Sequence, residues 1–459
     1  MTAERAQGTP RSRSTNVAAL LSFLWPGVGQ WYRGRWRAGL LYAVPVALVA
    51  GAALSQVVGG AQDLALELFA PSFSLTILIL IILLGLWRLL SMFDAGTPLE
   101  GWRRAGRRTG SVFAALALVV VVVHGVAAYY AWSFYDAGSH IFVNAGTEPP
   151  IGTDDRAQGP LVALPYVTPA TRASRINVLL TGVDSAAGRS HALNDTLILA
   201  SIDPVSHKVA MLSFPRDIAN FPLWNGHGMF TGKINSLMSY ARQHPKEFPD
   251  GDLGSLIKEL GYLIGAPIHY YAAVDLDGFR RLIDKAGGVD VNNSRAIDDP
   301  VYGGWTDKRP IGFTLSAGMH HLDGQTALAF VRSRKGPGDT DFSRARRQQQ
   351  LLVALTRKLA DPAMLPRLPD ILTVAGGTVR TNFPSDRLGE MISLSRDVPD
   401  NQITQVVLGP PYARRPVTSI AIYTLEIDFA KFAALSIKIF GTDSAYVGLA
   451  PGTSPPPTN

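Results

Sequence analysis

The hydrophobic positions follow two different patterns, and the change between them divides the chain into two parts. Long, almost uninterrupted apolar stretches occur only before residue 135. From residue 175 onwards, short apolar runs of strand length alternate with stretches in which apolar residues recur every three or four positions, as in amphipathic helices. This arrangement predicts a multi-span α-helical membrane region followed by a soluble α/β domain.

Three of the early apolar stretches are long enough to cross a bilayer, for which a helix needs about 20 apolar residues. They are residues 38–60, 72–90 and 111–132. Residues 17–32 are apolar too, but this stretch is short, and Pro26 and two nearby glycines interrupt it. It is therefore expected either to enter the membrane as a re-entrant hairpin or to form a fourth, strained span.

Charges in the short loops predict how these spans are oriented. The loops at 33–37 and 103–108 are rich in arginine, whereas the loop at 61–71 has acidic residues and neither lysine nor arginine. Short basic loops stay on the cytoplasmic side, so everything after Trp132 belongs outside. We therefore expect a multi-pass protein of the plasma membrane with an extracytoplasmic carboxy-terminal domain, whether or not residues 17–32 cross.

Composition agrees with this division into segments. Hydrophobic residues make up 47% of the 459 residues, charged residues make up 17%, and the absence of cysteine excludes disulfides and thiolate metal sites. The expected segments are a disordered basic amino terminus (1–16), a membrane region (17–133), a linker (134–174), a folded domain (175–440) and a proline-rich tail (441–459).

Within the folded domain, the apolar pattern predicts a series of strands and helices. Strands are expected at residues 176–183, 196–202, 208–214, 269–274 and 289–291. Helices are expected at residues 234–242, 253–264 and 276–286. Asp275 is expected to cap the last of these helices, and Gly287 is expected to end it.

A cationic stretch at residues 327–351 is the first candidate site. Its apolar residues 329–331 predict a buried strand, and the two-residue period of a strand places Arg332 and Arg334 on one face. Their backbone would then be anchored in the core. Such a pair can bind a group with several negative oxygens, whereas the alternative is a solvated basic surface patch.

The helix predicted after this strand adds further polar side chains. A Gly/Pro/Asp loop at 335–340 breaks the strand, and Asp341 or Ser343 is expected to cap the helix. Spacings of three and four place three of its side chains on one side, namely those of Arg344, Arg347 and Gln348. The strand end, the loop and the helix start are therefore predicted to form a receptor for phosphate or pyrophosphate.

Two aspartates follow or open predicted strands. Asp184 lies just beyond the first strand and Asp195 opens the second, so neighbouring strands would bring both carboxylates to one edge of a sheet. One or two carboxylates, phosphate oxygens and water are the usual ligands of Mg²⁺. The alternative is that each aspartate only forms a turn or a cap.

Two more cations follow the third strand. Arg216 is placed at the sheet edge by a Pro-Arg-Asp turn, where it either meets the same anion or forms a weak surface pair with Asp217. Lys233 begins the next predicted helix, and helix amino termini favour anions. Its alternative role is a simple cap.

Seven separated motifs, taken in order, resemble the LytR-CpsA-Psr family. They are GVDS, NDT, the PRD after a strand, GKIN, GGVDV, AGMHHLDGQTALAFVRSR and DFSRARRQQQ. The resemblance covers about residues 175–360, with the segment to about 440 completing the domain. It implies an α/β/α sandwich with a mixed sheet and an apolar pocket for a prenyl chain, for which residues 253–264 and 351–359 are candidate walls.

The resemblance also implies an activity. Such proteins are Mg²⁺-dependent phosphotransferases that move a glycopolymer from a polyprenyl-pyrophosphate carrier to a sugar hydroxyl of peptidoglycan, leaving a phosphodiester link. Carried over by motif, Asp184 and Asp195 would hold the Mg²⁺. Arg216, Arg332 and Arg334 would bind the pyrophosphate and take part in catalysis. Further residues would bind the pyrophosphate, namely Gln348, Arg344, Arg347 and Lys233. The expected partners are the lipid-linked polymer, peptidoglycan and the membrane.

One position departs from the family pattern. Leu193 stands where the family usually has an arginine, two residues before Asp195. Arg189 and His191 are candidates to replace that cation. The identity of the general base that would deprotonate the acceptor hydroxyl stays open.

Other functions fit the same sequence. One is a hydrolase that cleaves a lipid pyrophosphate with water, and another is a non-catalytic regulator that binds polyprenyl phosphate. The predicted topology argues against DNA binding, because it places the basic residues outside the membrane. The actinobacteria-like bias toward Arg, Ala and Gly favours an arabinogalactan-like polymer, with teichoic-acid-like or capsular polymers as alternatives.

Overall fold

The structure is a computed structural model in which two compact units can be distinguished, Met1–Tyr135 and Asp136–Asn459. The described residues are 14–96, 107–142, 174–183, 194–303, 311–387, 391, 398–416 and 423–455.

The first unit is built from helices. They are α1 (Thr15–Leu24), α2 (Val28–Tyr32), α3 (Trp36–Glu67), α4 (Pro71–Gly96) and α5 (Arg107–Ile141), whose last residues belong to the second unit. By length and composition, three segments can cross a membrane, Trp36–Ser55, Pro71–Gly96 and Gly110–Ile141. They coincide with the three long apolar stretches of the sequence. The number of spans and their orientation stay predictions.

Residues 17–32 fold into two short helices joined by a turn. Gly27 in this turn has a φ of +99°, and a Cβ there would lie 2.2 Å from the carbonyl oxygen of Gly39, so only glycine fits. The buried amide of Gln30 donates to the carbonyl oxygen of Ser91 on α4 at 2.8 Å. This hydrogen bond, made away from water, fixes the two short helices against α4.

Strands and helices alternate through the second unit, as the sequence predicts. The strands are β1 (Ile176–Val183), β2 (Asn194–Ile202), β3 (Val209–Ser213), β4 (Ala219–Pro222), β5 (Met229–Lys233), β6 (Tyr270–Asp275), β7 (Val289–Asn293), β8 (Ile297–Asp299), β9 (Phe313–Leu315), β10 (Gly318–Leu322), β11 (Val379–Thr381), β12 (Ile403–Val407), β13 (Ala413–Arg414) and β14 (Glu426–Ile427). The helices are α6 (Leu237–Gln243), α7 (Gly251–Ile264), α8 (Leu276–Ala286), α9 (Gly324–Arg332), α10 (Asp341–Ala360), α11 (Leu368–Thr378) and α12 (Phe429–Phe440).

Six of these strands form a mixed sheet in the order β11-β6-β1-β2-β3-β12. The central strand β1 is antiparallel to β2 and parallel to β6. The outer strand β12 is parallel to β3. The expected α/β domain with a mixed sheet is thereby confirmed.

The two faces of this sheet pack against different helices, because successive side chains of a strand point to opposite sides. Leu179, Leu199 and Tyr271 face a core that they share with α6, α7 and α12. Leu180 and Ile198 face the other side, where α8, α9, α10 and α11 contribute to a second core. The result is a sheet between two layers of helices.

The strand predicted at residues 329–331 is wrong, because these residues belong to α9. Asp323 caps this helix by accepting a hydrogen bond from the backbone N–H of Thr326 at 2.8 Å. The residues from Ala327 to Val331 are all buried, so the sequence shows a continuous apolar run in which neither helical nor strand periodicity is visible.

The helix expected after this segment is present as α10. Its cap is Thr340, one residue before Asp341, the first of the two predicted caps. The side chain of Thr340 accepts from the backbone N–H of Ser343 at 3.2 Å, and the Ser343 hydroxyl accepts from the N–H of Thr340 at 2.9 Å. This reciprocal arrangement is a capping box.

A buried acid in α7 is expected to make folding stability depend on pH. Glu259 is 0% exposed, and one carboxylate oxygen accepts from the N–H of Trp224 at 3.1 Å. The other oxygen has no hydrogen-bond partner among the described residues. Burial raises the pKa of Glu259 to about 8, so the native state holds a proton that the unfolded state releases above its ordinary pKa of 4.5.

We expect Glu259→Gln to remove this pH dependence. In the natural protein, this contribution to the free energy of unfolding is complete below about pH 4.5 and is lost as the pH rises toward 8, by an amount on the order of a few kcal/mol. The amide keeps the acceptor for Trp224 and does not titrate. Thermal unfolding of both full-length proteins in detergent between pH 5 and 8 checks this. Parallel profiles would contradict it.

Candidate functional site

A cavity of about 360 Å³ lies between the sheet and the helices α8, α9 and α10. Its floor is apolar, formed by side chains of β1, β2 and β6 such as Leu180, Ile198, Ala272 and Val274. Leu276 and Phe279 of α8, Val331 of α9 and Leu352 of α10 complete the apolar lining. The cavity is thus a part of the second core that side chains leave unfilled.

The polar lining of this cavity is concentrated where α9 ends and α10 begins. It is provided by Arg332, Arg334, Arg344 and Gln348, together with Thr181, Gly182 and Thr196 of the sheet. The amide of Gln348 donates to the hydroxyl of Thr196 at 2.9 Å. This bond places the cationic part of the cavity beside the end of β1 and the beginning of β2.

Arg332 and Arg334 are held in place by the segment that joins α9 to α10. Asp299, which is 2% exposed, accepts three hydrogen bonds on one carboxylate oxygen. The donors are the hydroxyl of Ser333 at 2.9 Å, the N–H of Arg334 at 2.9 Å and the N–H of Lys335 at 3.0 Å. Both arginines line the cavity, and they are positioned by the end of α9 and by the loop bound to Asp299, where the sequence had predicted a strand.

The arginines of α10 have different surroundings. Arg344 is buried, lines the cavity and lies 3.1 Å from a carboxylate oxygen of Asp341. The same oxygen lies 3.3 Å from a guanidinium nitrogen of Arg334. Asp341 therefore connects two cavity arginines and reduces the repulsion between them.

Arg347 is one helical turn further along α10, but it is not among the described residues that line the cavity. Its guanidinium donates to Asp339 at 2.9 Å and to the backbone carbonyl of Ser333. It also lies 5.8 Å from the ring centre of Phe330. In this structure Arg347 fastens the connecting segment to α10.

Arg216 and Lys233 lie on either side of a further aspartate, Asp217. Asp217 is buried and forms an ion pair with the ammonium group of Lys233, while the Nε of Arg216 lies 3.8 Å from its other carboxylate oxygen. Neither cation is among the residues lining the 360 Å³ cavity. Pro215 and Asp217, however, line a second cleft that Arg334 lines as well.

The predicted metal ligands fall largely outside the described residues. Asp184 is not described, and of Asp195 only the backbone is, within β2. β1 ends at Val183, which pairs with Asn194, the first residue of β2. In the sequence, Asp184 directly follows Val183, and Asp195 directly follows Asn194. Among the described residues, no group of three or more acidic or histidine side chains could hold a metal ion. The positions of Arg189, His191 and Leu193 also lie outside the described residues.

Sequence inspection missed two contributors to this site. Asp299 is the residue that fixes the loop with Arg334, yet its neighbours in the chain predict no element. The apolar walls from α8, Leu276 and Phe279, were expected only as part of an ordinary helix. Of the two helices considered as pocket walls, α10 contributes Leu352, whereas α7 packs in the core on the opposite face of the sheet.

Comparison with known proteins adds to this geometry. The model of the LytR_cpsA_psr family matches residues 152–428. Over 237 residues, the chain is 32% identical to the polyisoprenyl-teichoic acid–peptidoglycan teichoic acid transferase TagU of Oceanobacillus iheyensis, covering 51% of this chain and 67% of that protein. It is also 32% identical to the regulatory protein MsrR of Staphylococcus aureus, covering 47% of this chain and 59% of that protein.

A similar fold is found among solved structures. The crystal structure of TagV from B. subtilis matches 61% of this chain and 100% of its own, with 25% identity and a TM-score of 0.46.

Replacing Asp299 by asparagine is expected to loosen the segment that carries Arg334. The change removes the charge that strengthens three hydrogen bonds, which should lower the free energy of unfolding by about 2–3 kcal/mol. Amide hydrogen exchange at residues 333–340 should accelerate. Asp298→Asn, at the exposed preceding position of β8, is the matched control and should change neither quantity. Equal exchange in both variants would show that Asp299 does not hold the loop.

Proposed function

Because the chain belongs to the LytR-CpsA-Psr family, we propose that it is a phosphotransferase of cell-wall assembly that moves a glycopolymer from a polyprenyl-pyrophosphate carrier to a sugar hydroxyl of peptidoglycan. The observation that carries the proposal is the composition of the cavity. An apolar lining and a cluster of arginines meet in one space, which suits a ligand that joins a hydrocarbon chain to a diphosphate.

The apolar part of the cavity suits the prenyl chain. Its lining comes from three strands and three helices of the second unit. Burying a hydrocarbon chain there contributes about 25 cal/mol for each Å² of apolar surface removed from water. The space therefore binds the lipid by the same force that stabilises the core.

The cationic part suits the diphosphate and the charge that develops during transfer. Arg332, Arg334 and Arg344 provide guanidinium donors that bind phosphate oxygens in pairs, and the amide of Gln348 adds a neutral donor. Donors fixed before the reaction stabilise charge on the non-bridging oxygens without having to reorganise. Arg216 and Lys233, which lie on either side of Asp217 and do not line the cavity, would extend this positive field.

A magnesium ion is part of the proposal. Asp184 and Asp195 follow the paired residues Val183 and Asn194, at the end of the strands that contributes Gly182 and Thr196 to the polar lining. Two carboxylates beside a phosphate site are suitable ligands for Mg²⁺. When bound, the ion would neutralise charge on the diphosphate and favour the departure of the polyprenyl phosphate.

The membrane region supports an arrangement in which the reaction takes place outside the cell. The three apolar helices are long enough to anchor the chain, and the arginine-rich loops of the sequence favour an outer location for the carboxy-terminal unit. Both the lipid-linked donor and the wall acceptor would be within reach there. The similarity to MsrR, which is named a regulatory protein, makes donor binding without transfer the alternative to be tested.

Transfer by the purified full-length protein tests this function. Lipid-linked glycopolymer and peptidoglycan are incubated with the protein with and without Mg²⁺, and linked polymer is measured together with released phosphate. We expect metal-dependent transfer that falls about 10²- to 10³-fold in Arg332→Ala, since one fixed donor to the developing charge is lost. The matched control is Arg357→Ala. Arg357 is an exposed residue of α10 that does not line the cavity, so this variant should retain activity.

Three results would contradict the transferase. Release of phosphate without linked polymer would indicate a hydrolase. Tight binding of the donor without turnover would indicate a regulator. Equal activity of Arg332→Ala and Arg357→Ala would show that the cavity arginines are not involved.

A larger side chain at Ala272 is expected to discriminate among donor lipids. Ala272 lies on the cavity floor and pairs with Leu180 across β1 and β6, so the ring of Ala272→Phe would occupy space meant for the prenyl chain. We expect KM for a long-chain donor to rise about tenfold or more, with a smaller effect on a short-chain analogue. Ala272→Ser, which keeps the volume, is the control. Equal changes for both donors would argue against prenyl binding in this cavity.

A further inference from the structure

The second cleft, with a volume of about 380 Å³, adjoins the first cavity and is not used by the proposed donor. Its lining includes Asp217, Arg334, Asp339, Asp341, Phe342 and Tyr423. Arg334 lines both spaces. A molecule in the second cleft would therefore lie beside the guanidinium that is proposed to bind the diphosphate.

The lining of this cleft differs from that of the cavity. It combines three carboxylates with two cations, Arg334 and Lys335, the hydroxyl of Thr340 and two aromatic rings, whereas the cavity is apolar and cationic. Carboxylates accept hydrogen bonds from hydroxyl groups, and here they offset the cations, so that the lining has no excess of positive charge for a polyanion. The cleft is thus suited to an uncharged, hydroxyl-rich group and is poorly suited to the diphosphate itself.

Tyr423 gives the cleft an exposed aromatic surface. The residue is 44% exposed, which is high for a large aromatic side chain inside a cleft. The guanidinium of Arg415 lies 5.9 Å from its ring centre and holds the ring by a cation–π contact. Tyrosine presents an apolar ring face and a polar hydroxyl, the combination that packs against a sugar ring.

A buried acceptor in the cleft is not used within the described part of the chain. The side chain of Asp339 is 10% exposed, and one carboxylate oxygen is paired with Arg347 at 2.9 Å. Its other oxygen has no hydrogen-bond partner among the described residues. Leaving a charged acceptor without a donor costs free energy, which a donating hydroxyl of a ligand would recover after a small adjustment of the loop.

We propose that this cleft is the acceptor subsite and binds a glycan strand of peptidoglycan, with Tyr423 as its stacking platform. The inference rests on the proposed phosphotransferase function. In the transfer, the acceptor oxygen forms a bond to the phosphorus that carries the glycopolymer. The bond from that phosphorus to the bridging oxygen breaks, and its electron pair leaves with the polyprenyl monophosphate. The acceptor proton passes to solvent or to a nearby carboxylate such as Asp341.

The position of Arg334 explains why the acceptor and not a further part of the donor belongs here. Asp341, a wall of the cleft, is in contact with both Arg334 and Arg344, two residues of the donor cavity. A hydroxyl held at this wall lies next to the phosphate groups that the arginines bind. The connecting segment between α9 and α10 thus forms one boundary of each space and brings donor and acceptor together.

Replacing Tyr423 tests the proposal by two measurements on the full-length protein. The first is binding of soluble, uncrosslinked peptidoglycan strands without any donor present. The second is the KM for these strands and for the lipid-linked donor during transfer. In Tyr423→Ala, we expect the Kd and the acceptor KM to rise about five- to tenfold, since a ring contact is lost, while the donor KM stays unchanged. Tyr423→Phe keeps the ring and should behave almost like the natural protein.

The outcomes separate this inference from the function on which it rests. If the protein carries out no transfer but binds peptidoglycan strands, and Tyr423→Ala weakens this binding, the phosphotransferase is refuted and the glycan subsite is retained. Transfer by the natural protein with an acceptor KM and Kd that do not respond to Tyr423→Ala would refute the subsite and retain the phosphotransferase. A variant that raises the donor KM instead would assign the cleft to the donor and also overturn the proposal.

Discussion

The carboxylate of Asp299 is the constraint on which the candidate site depends. It is buried, and a buried charge is tolerated only when hydrogen bonds replace the water that it has lost. Three donors from consecutive residues, beginning at Ser333, meet this requirement at one of its two oxygens. The same bonds fix the backbone between Arg332 and Lys335, and therefore the directions from which two arginines enter the cavity. The hydrogen bonds that stabilise the buried carboxylate of Asp299 therefore also position Arg332 and Arg334. The cationic binding surface is thus already formed before a ligand binds.

Further ion pairs keep this cationic cluster together. Arg334 and Arg344 share a carboxylate oxygen of Asp341, and Arg347 is bound to Asp339 and to the carbonyl of Ser333. Guanidinium groups at such short range would repel each other if no anions lay among them. The aspartates offset the repulsion, and Asp339 and Asp341 also line the neighbouring cleft. One loop therefore contributes to two adjoining spaces, of which one is apolar and cationic and the other is lined by charges of both signs.

The sequence predicted the sheet well because its strands alternate in pattern and end at recognisable turns. The limits of β1 and of α8, with its cap Asp275, agree with the prediction. α9 could not be recognised, because a helix buried on all sides has no polar face and shows the same apolar run as a buried strand. Asp299 was missed because its partners are 34 to 36 residues away, and local patterns carry no information about such contacts. Spacing on α10 grouped Arg344 with Arg347, yet only packing decides which of them lines the cavity.

The alternation along β1 has a consequence for how this region can vary. Leu179 belongs to the core on one face of the sheet, and its neighbour Leu180 belongs to the floor of the cavity on the other. Both positions carry leucine, so their roles differ only because successive residues of a strand point to opposite faces of the sheet. Loss or gain of a single residue before them would exchange the two roles throughout β1, with no change in hydrophobicity at either position. Insertions and deletions should therefore be far rarer in this strand than conservative replacements. The strand should then have the same length in related sequences.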